Sequence, residues 1–372
     1  MNNKDKPKYS RIPNFEIMRT IAMFFIVLWH SCVHGLNGAG GGSFDISSRF
    51  GVFNCLFTIF MCSITGVAVN LYVMITGYFM IDKVSFRIRR FEKIWLHTLF
   101  YALGFALLAF FISPDLLHIK IITDYFYVDL GYWFVKKYLG LILMAPFLAR
   151  LASILSKRSY LLLLAVLGII NVTIYAPFAT QMGDVNDGYS LHWFIFVFFI
   201  SGYIRKYEPL KGSRKVLSLF LLSWGSNFIY VLCERYLTDS ITAPIPYLPY
   251  NGIIFFESYF LFLIFRDHNF KSIIWKPFVV LAPYTFGVYL IHENPFTAPH
   301  LWQGDFSPIH LINSGYLIPY IFVLSLGIFL VCSFIDSIRA FIVNRFHLAN
   351  VLTAFNNYLY TRISLRFVTK NT

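Results

Sequence analysis

The chain has 372 residues, of which 58% are hydrophobic and only 13% charged, so it is neither an ordinary soluble domain, which carries about 25% charged residues, nor a disordered one. Aromatic residues make up 20%, a load suited to lipid-facing surfaces and interfacial belts. Lys and Arg outnumber Asp and Glu by 31 to 18, but the net +13 would mark a nucleic-acid binder only if the basic residues shared one patch, and they are dispersed between hydrophobic runs.

A bilayer core about 30 Å thick takes roughly 20 apolar residues per helix. Ten runs meet that demand, at 15–36, 52–81, 93–113, 130–150, 159–178, 189–205, 215–236, 249–266, 277–293 and 315–340. The sequence therefore predicts an all-α, polytopic membrane bundle. The second run is too long for one upright helix, and residues 51–58 are expected to lie flat or re-enter. Basic residues fall in alternate connections: Lys4, Lys6, Lys8 and Arg11 before the first run, then Lys83, Arg87, Arg89, Arg90 and Lys93 after the second. The pattern repeats with Arg150, Lys157 and Arg158, with Arg205, Lys206, Lys211, Arg214 and Lys215, with Arg266, Lys271 and Lys276, and with the basic residues from Arg339 to Lys370. The opposite loops hold only Arg49 and Lys120. Lys and Arg are retained on the cytoplasmic side, so ten crossings with both termini in the cytoplasm are predicted. The domain scheme is a tail over 1–14, a transmembrane domain over 15–340 and a tail over 341–372. Glu16 and Arg19 at the mouth of the first run argue against a cleaved signal peptide. The Gly-rich stretch 38–43 is expected to be a flexible loop, and no internal repeat, P-loop or GxGxxG is present. Cys32, Cys55, Cys62, Cys233 and Cys332 lack metal-ligand spacing and read as buried free thiols.

A charged side chain at bilayer depth is costly and marks a functional candidate. Arg19 and His30 are 11 residues apart, about three helical turns and roughly 16 Å, so both project from one face of the first helix. Glu16 is placed for a helical ion pair with Arg19, and His34 follows His30 by one turn. The plain alternative makes Arg19 an interfacial anchor and His30 a packing residue. Histidine suits the transfer of a hydroxyl proton near neutral pH. His292 and Glu293 form a second constellation at the end of the ninth run. Lys136 and Lys137 follow Trp133 inside the fourth, where one can snorkel and the other should face protein. Asp124, Asp129, Asp184, Asp187, Asp305, His300 and His310 read as solvated loop residues. Arg87 and Arg90, one turn apart, offer two forks that match phosphate oxygens; contact with anionic lipid is the other reading.

Several of these stretches together resemble the membrane acyltransferase-3 family, which carries acyl groups onto exported glycans and related acceptors. NFEIMRTIAMFFIVLWHS is similar to that family's first helix, in which an Arg and a His enclose ten residues, here Arg19 and His30. Thr76, Gly77 and Tyr78 resemble its Ser-Gly-Phe element, with Thr in place of Ser, and Arg87 and Arg90 match its two-Arg motif. Trp133 to Leu148 and Phe286 to Phe296 resemble further stretches of bacterial members.

The resemblance implies an O-acetyltransferase of the bacterial plasma (inner) membrane, with acetyl-CoA as donor and a sugar hydroxyl of an envelope glycan as acceptor. Arg87 and Arg90 would hold the CoA phosphates. His30 would be general base or transient acyl carrier, and Arg19 would orient the donor or steady an oxyanion. His292, Glu293 and Lys137 are expected to bind acceptor. Membrane lipid, acyl-CoA and glycan are the expected partners, without nucleic acid or metal, and the oligomeric state is open. A transporter or flippase of a lipid-linked glycan is the alternative, in which the same charges line a path and do not react.

Overall fold

The computed structural model describes residues 12–37, 42–85, 88–112, 131–173, 190–207, 210–211, 214–237 and 252–345. Among these every regular element is helical. Seven stretches are long and apolar enough to cross a membrane: Pro13–Leu36, Arg49–Met80, Ile88–Ile112, Trp133–Ile154, Arg214–Leu237, Ile273–His292 and Leu317–Arg345. The three other apolar runs are occupied by shorter described helices, Lys157–Gly168 with a π-helical extension to Thr173, Leu191–Tyr207 and Gly252–Asp267. The protein is thus a multi-pass helical membrane protein.

Helix α1 (Pro13–Leu36) begins at a proline, whose missing N–H costs nothing in a first turn. Of its apolar window 67% is buried, against 22% for α4 (Ile88–Ile112), so α1 runs through the middle of the bundle and α4 along its lipid-facing rim. The second apolar run is built from two helices. Helix α2 (Arg49–Thr65) is continuous through residues 51–58, capped by Ser48, and the interruption falls at Gly66 and Val67 before α3 (Ala68–Met80). Around the break, Thr58, Ser63 and Thr65 turn their hydroxyls back onto the carbonyls of Asn54, Phe60 and Met61, which bends a helix. Asn54 meanwhile donates to the carbonyls of Ile312 and Ser314 at 2.9 and 2.8 Å, anchoring the start of α2.

Helix α5 (Trp133–Ile154) follows, then α6 (Lys157–Gly168), α7 (Leu191–Tyr207), α8 (Arg214–Leu237) and α9 (Gly252–Asp267). Small residues let α3 lie close on α7: a Cβ at Gly77 would stand 2.1 Å from Ser201 Oγ and 2.5 Å from the Phe198 carbonyl. Asn70 locks the same pair by accepting from Trp193 Nε1 at 2.8 Å and donating to Ser258 on α9 at 2.9 Å.

The ninth run is a broken helix. Helix α10 (Lys276–Leu281) gives way to a 3₁₀ turn at Ala282–Tyr284, which contains Pro283, before α11 (Thr285–His292). Thr20 on α1 donates to the Phe278 carbonyl near the break at 2.7 Å. Irregular backbone at membrane depth persists where protein satisfies it, and here α1 does so. The short helix α12 (Ala298–Trp302) roofs that end of the bundle. Helix α13 (Leu317–Arg345) closes the fold, running past the expected boundary at 340 and tied to α1 by a 2.8 Å bond between Ser325 and Ser31. All five cysteines are free; four are buried as expected, and Cys233 is exposed on α8.

Candidate functional site

The site is made where the end of α11 meets the last turns of α1. His292 Nδ1 lies 2.6 Å from the Val288 carbonyl, one turn earlier on its own helix. A carbonyl only accepts, so Nδ1 carries the hydrogen and Nε2 of the neutral ring presents a lone pair. His30 Nδ1 lies 2.9 Å from that Nε2 and 3.0 Å from Glu293 Oε1. Both neighbours are acceptors, so His30 Nδ1 also carries a hydrogen and the lone pair of its neutral ring rests on Nε2. That atom makes no hydrogen bond to any described residue. One carboxylate therefore fixes the tautomer of a histidine and leaves its other nitrogen open, the relation by which a general base is oriented.

Glu293 is held in turn. Trp302 donates its indole N–H to Glu293 Oε1 at 3.1 Å, and its ring stands edge-on to both His30 and His292. His34 lies farther out, its Nε2 4.0 Å from Glu293 Oε2 and its ring centre 4.7 Å from that of His30. A carboxylate just past a helix C-terminus faces the negative end of the dipole, and the N–H groups of His30 and Trp302 offset that cost. Tyr132, at the threshold of α5, donates to the Leu290 carbonyl at 2.5 Å and accepts from Asn294 at 2.7 Å, which fixes the turn carrying Glu293.

His30, His292 and Glu293 bring donor atoms within 4.8 Å of one another, a set that in composition could surround a cation. Their closest separations, 2.9 and 3.0 Å, are those of hydrogen bonds, shorter than the roughly 3.3 Å kept by tetrahedral ligand atoms at zinc distances. The arrangement as it stands shares protons.

Of the residues that the sequence singled out, His30, His292 and Glu293 come together although more than 260 positions separate them. Arg19 does not join them. It sits three turns away on α1, bonded to Glu16 at 3.0 and 3.1 Å, the helical pair that the spacing predicted. Tyr72 donates to the Arg19 carbonyl at 3.0 Å, and Thr76, in the Thr-Gly-Tyr element, lies 2.7 Å from Tyr138 Oη. Gly77 of that element serves the close approach of α7. Lys137 is half-buried on α5 and makes no hydrogen bond or ion pair with the His30 group. Arg90 is exposed in the first turn of α4, whereas Arg87, Lys120, Asp124, Asp129, Asp184 and Asp187 lie outside the described residues.

The sequence reading passed over Trp302, His97, Asp336 and Glu257. The last three are ionisable groups inside apolar runs, the signal that had picked out His30. Asp336 and Glu257 are completely buried.

No curated protein and no solved structure matches the chain. One family model does, described as an acyltransferase domain, and it matches residues 12–336, from the start of α1 into α13. The match spans most of the sequence and includes the whole His30 group, so the chain belongs to the acyltransferase-3 family of membrane acyltransferases.

Proposed function

We propose that the protein is an O-acetyltransferase of a bacterial inner membrane, moving an acetyl group from cytoplasmic acetyl-CoA to a hydroxyl of an exported or lipid-linked glycan. The observation that carries this reading is the open Nε2 of His30 beside a Glu293 that fixes its Nδ1–H. In that state the ring takes a proton from an acceptor hydroxyl, or attacks the acetyl carbonyl itself. Glu293 then stabilises the imidazolium, and His292 and Glu293 become positioning residues for His30 in addition to acceptor contacts. Arg19 and His30 stand roughly 16 Å apart along α1, so Arg19 meets the donor's body and not the reacting carbonyl.

Ten crossings, with both termini in the cytoplasm, would put Arg87 and Arg90 in the compartment where acetyl-CoA is made and His30 towards the opposite face. In a background free of native cysteine, Lys211→Cys should remain shielded from an impermeant thiol reagent in intact cells while Asp305→Cys reacts; labelling of the first from outside breaks this path.

The deciding assay uses purified protein in nanodiscs with acetyl-CoA and envelope glycan from cells lacking the gene. Acetylated glycan, detected by mass spectrometry, is the expected product. Arg90→Ala should weaken acetyl-CoA binding about ten- to a hundredfold, since a charge-assisted phosphate contact contributes roughly 1.5–3 kcal/mol, and Arg90→Lys should restore part of it. Glycan crossing the bilayer with no acetyl gain and no CoA binding would favour a flippase.

A further inference from the structure

A second histidine–carboxylate pair lies on the other flank of α11. Asp336 of α13 packs over Gly287 so closely that a Cβ there would stand 2.2 Å from its Cγ. Its carboxylate receives Arg339 Nε at 2.6 Å, Arg339 Nη2 at 3.1 Å, the Tyr101 hydroxyl at 2.9 Å and His97 Nε2 at 2.7 Å. A carboxylate paired with arginine is an acceptor, so His97 Nε2 carries the hydrogen. Nδ1 is then the nitrogen left for another partner, and it makes no hydrogen bond to any described residue. Phe286, beside Gly287, packs edge-on against the His97 ring at 5.2 Å.

The placement along the bundle matters more than the pair itself. Gly287 precedes His292 by five residues, roughly 7.5 Å along α11, so the Asp336 group lies below the His30 group towards the middle of the bundle. On α4, His97 shares a face with Arg90 seven residues earlier and Tyr101 four residues later, and Arg90 is about two turns away. His97 therefore stands between the arginine proposed to hold the donor's phosphates and the histidine proposed to act at its acetyl carbon.

We infer that His97, positioned by Asp336, is the acid that protonates the sulfur leaving the thioester donor. This rests on the proposed acyl-transfer reading. The acceptor oxygen, or first His30 Nε2, bonds to the acetyl carbon, and the carbon–sulfur bond breaks with its electron pair staying on sulfur. Expelled into an apolar bundle, a thiolate would be an uncompensated buried charge, which is strongly unfavourable. The imidazolium of His97 gives its Nδ1 proton to that sulfur, forming the free thiol, and recovers a proton from water on the Arg90 side. His30 meanwhile holds the proton lost by the acceptor hydroxyl and releases it on its own side. One proton leaves the hydroxyl and one joins the thiol, so the account balances.

The test compares two donors in the full-length protein in nanodiscs: acetyl-CoA, and S-phenyl thioacetate, whose aryl thiolate departs without a proton. His97→Gln keeps an N–H for Asp336 but supplies no acid. Its kcat/KM should fall about a hundredfold or more with acetyl-CoA and less than about fivefold with S-phenyl thioacetate. Asp336→Asn should show the same donor-selective pattern at smaller size; should it fail to fold, His97→Gln alone decides. Equal losses with both donors would make the pair a packing anchor and overturn the inference, as would unimpaired transfer from acetyl-CoA. A wild-type protein that transfers from neither donor would remove the acyl-transfer reading itself, and the role of His97 with it.

Discussion

The two carboxylates that flank α11 are built to opposite ends. Asp336 is gripped by a guanidinium, a phenol and an imidazole, and has no exposure. Its charge is balanced by the Arg339 guanidinium, which grips it through two N–H groups. Among the described residues Glu293 pairs with no arginine or lysine: an indole N–H and histidines surround it, so its balance shifts whenever a proton moves. The contrast teaches that depth alone does not make a buried charge reactive. Arg339 holds the Asp336 carboxylate while His97 beside it is the group proposed to exchange a proton, whereas Glu293 shares its contacts with the histidines themselves. Arg19 with Glu16 is another fixed pair, three turns from His30 on the same helix.

The contrast is broken most directly at His30. His30→Ala should lower acetyl transfer about 100-fold to 10,000-fold with protein abundance unchanged, as measured by product mass spectrometry and immunoblot. Near-normal turnover would end the assignment. Glu293→Gln keeps the shape and removes the negative charge that steadies the imidazolium. A charge-assisted hydrogen bond of about 1.5–3 kcal/mol corresponds to a loss of roughly ten- to a hundredfold in kcat, read from single-turnover rates. On the fixed side the effect should appear in stability. Gly287→Ala drives a methyl group into Asp336 and should cost about 1–3 kcal/mol, seen as a lower midpoint of thermal unfolding in detergent, whereas Gly225→Ala on α8, with nothing within 4 Å of the new atom, should leave the midpoint equal or slightly higher. His34→Ala should be the mildest in turnover, within about fivefold, because its nitrogen sits 4.0 Å from Glu293, beyond hydrogen-bond reach. Comparable losses at His34 and His30 would erase the distinction between them.

How much of this was legible before folding differs from residue to residue. The Glu16–Arg19 pair follows from a spacing of three on a helix, and the structure has it. His30 and the His292–Glu293 pair were visible as ionisable groups in apolar runs, but their meeting was not. It depends on a helix broken at Pro283 and on Thr20 filling a backbone position near that break, contacts between parts of the chain some 258 residues apart. The reading of His292 and Glu293 as acceptor ligands treated them as a local motif, whereas their nearest partner lies on α1. The interruption at Gly66 and Val67 between α2 and α3 was hidden in one long apolar run, because Ser and Thr back-bonding acts within a turn and leaves hydropathy untouched. His97 and Asp336 were missed for a related reason. Asp336 reads beside Arg339 as the edge of a basic cytoplasmic end, and only packing over Gly287 reveals that it is buried.

Trp302 lies against the His30 group, 3% exposed, with its N–H on Glu293 and its ring edge-on to two histidines. An activated acetyl group beside a general base faces two nucleophiles, the intended hydroxyl and water, and water is far more abundant. A large, buried, apolar ring offers water no hydrogen-bonding partner beside His30 apart from the N–H already given to Glu293. Under the proposed acyl transfer the roof would govern fidelity more than speed: it would set how many acyl groups reach the acceptor for each one lost to water.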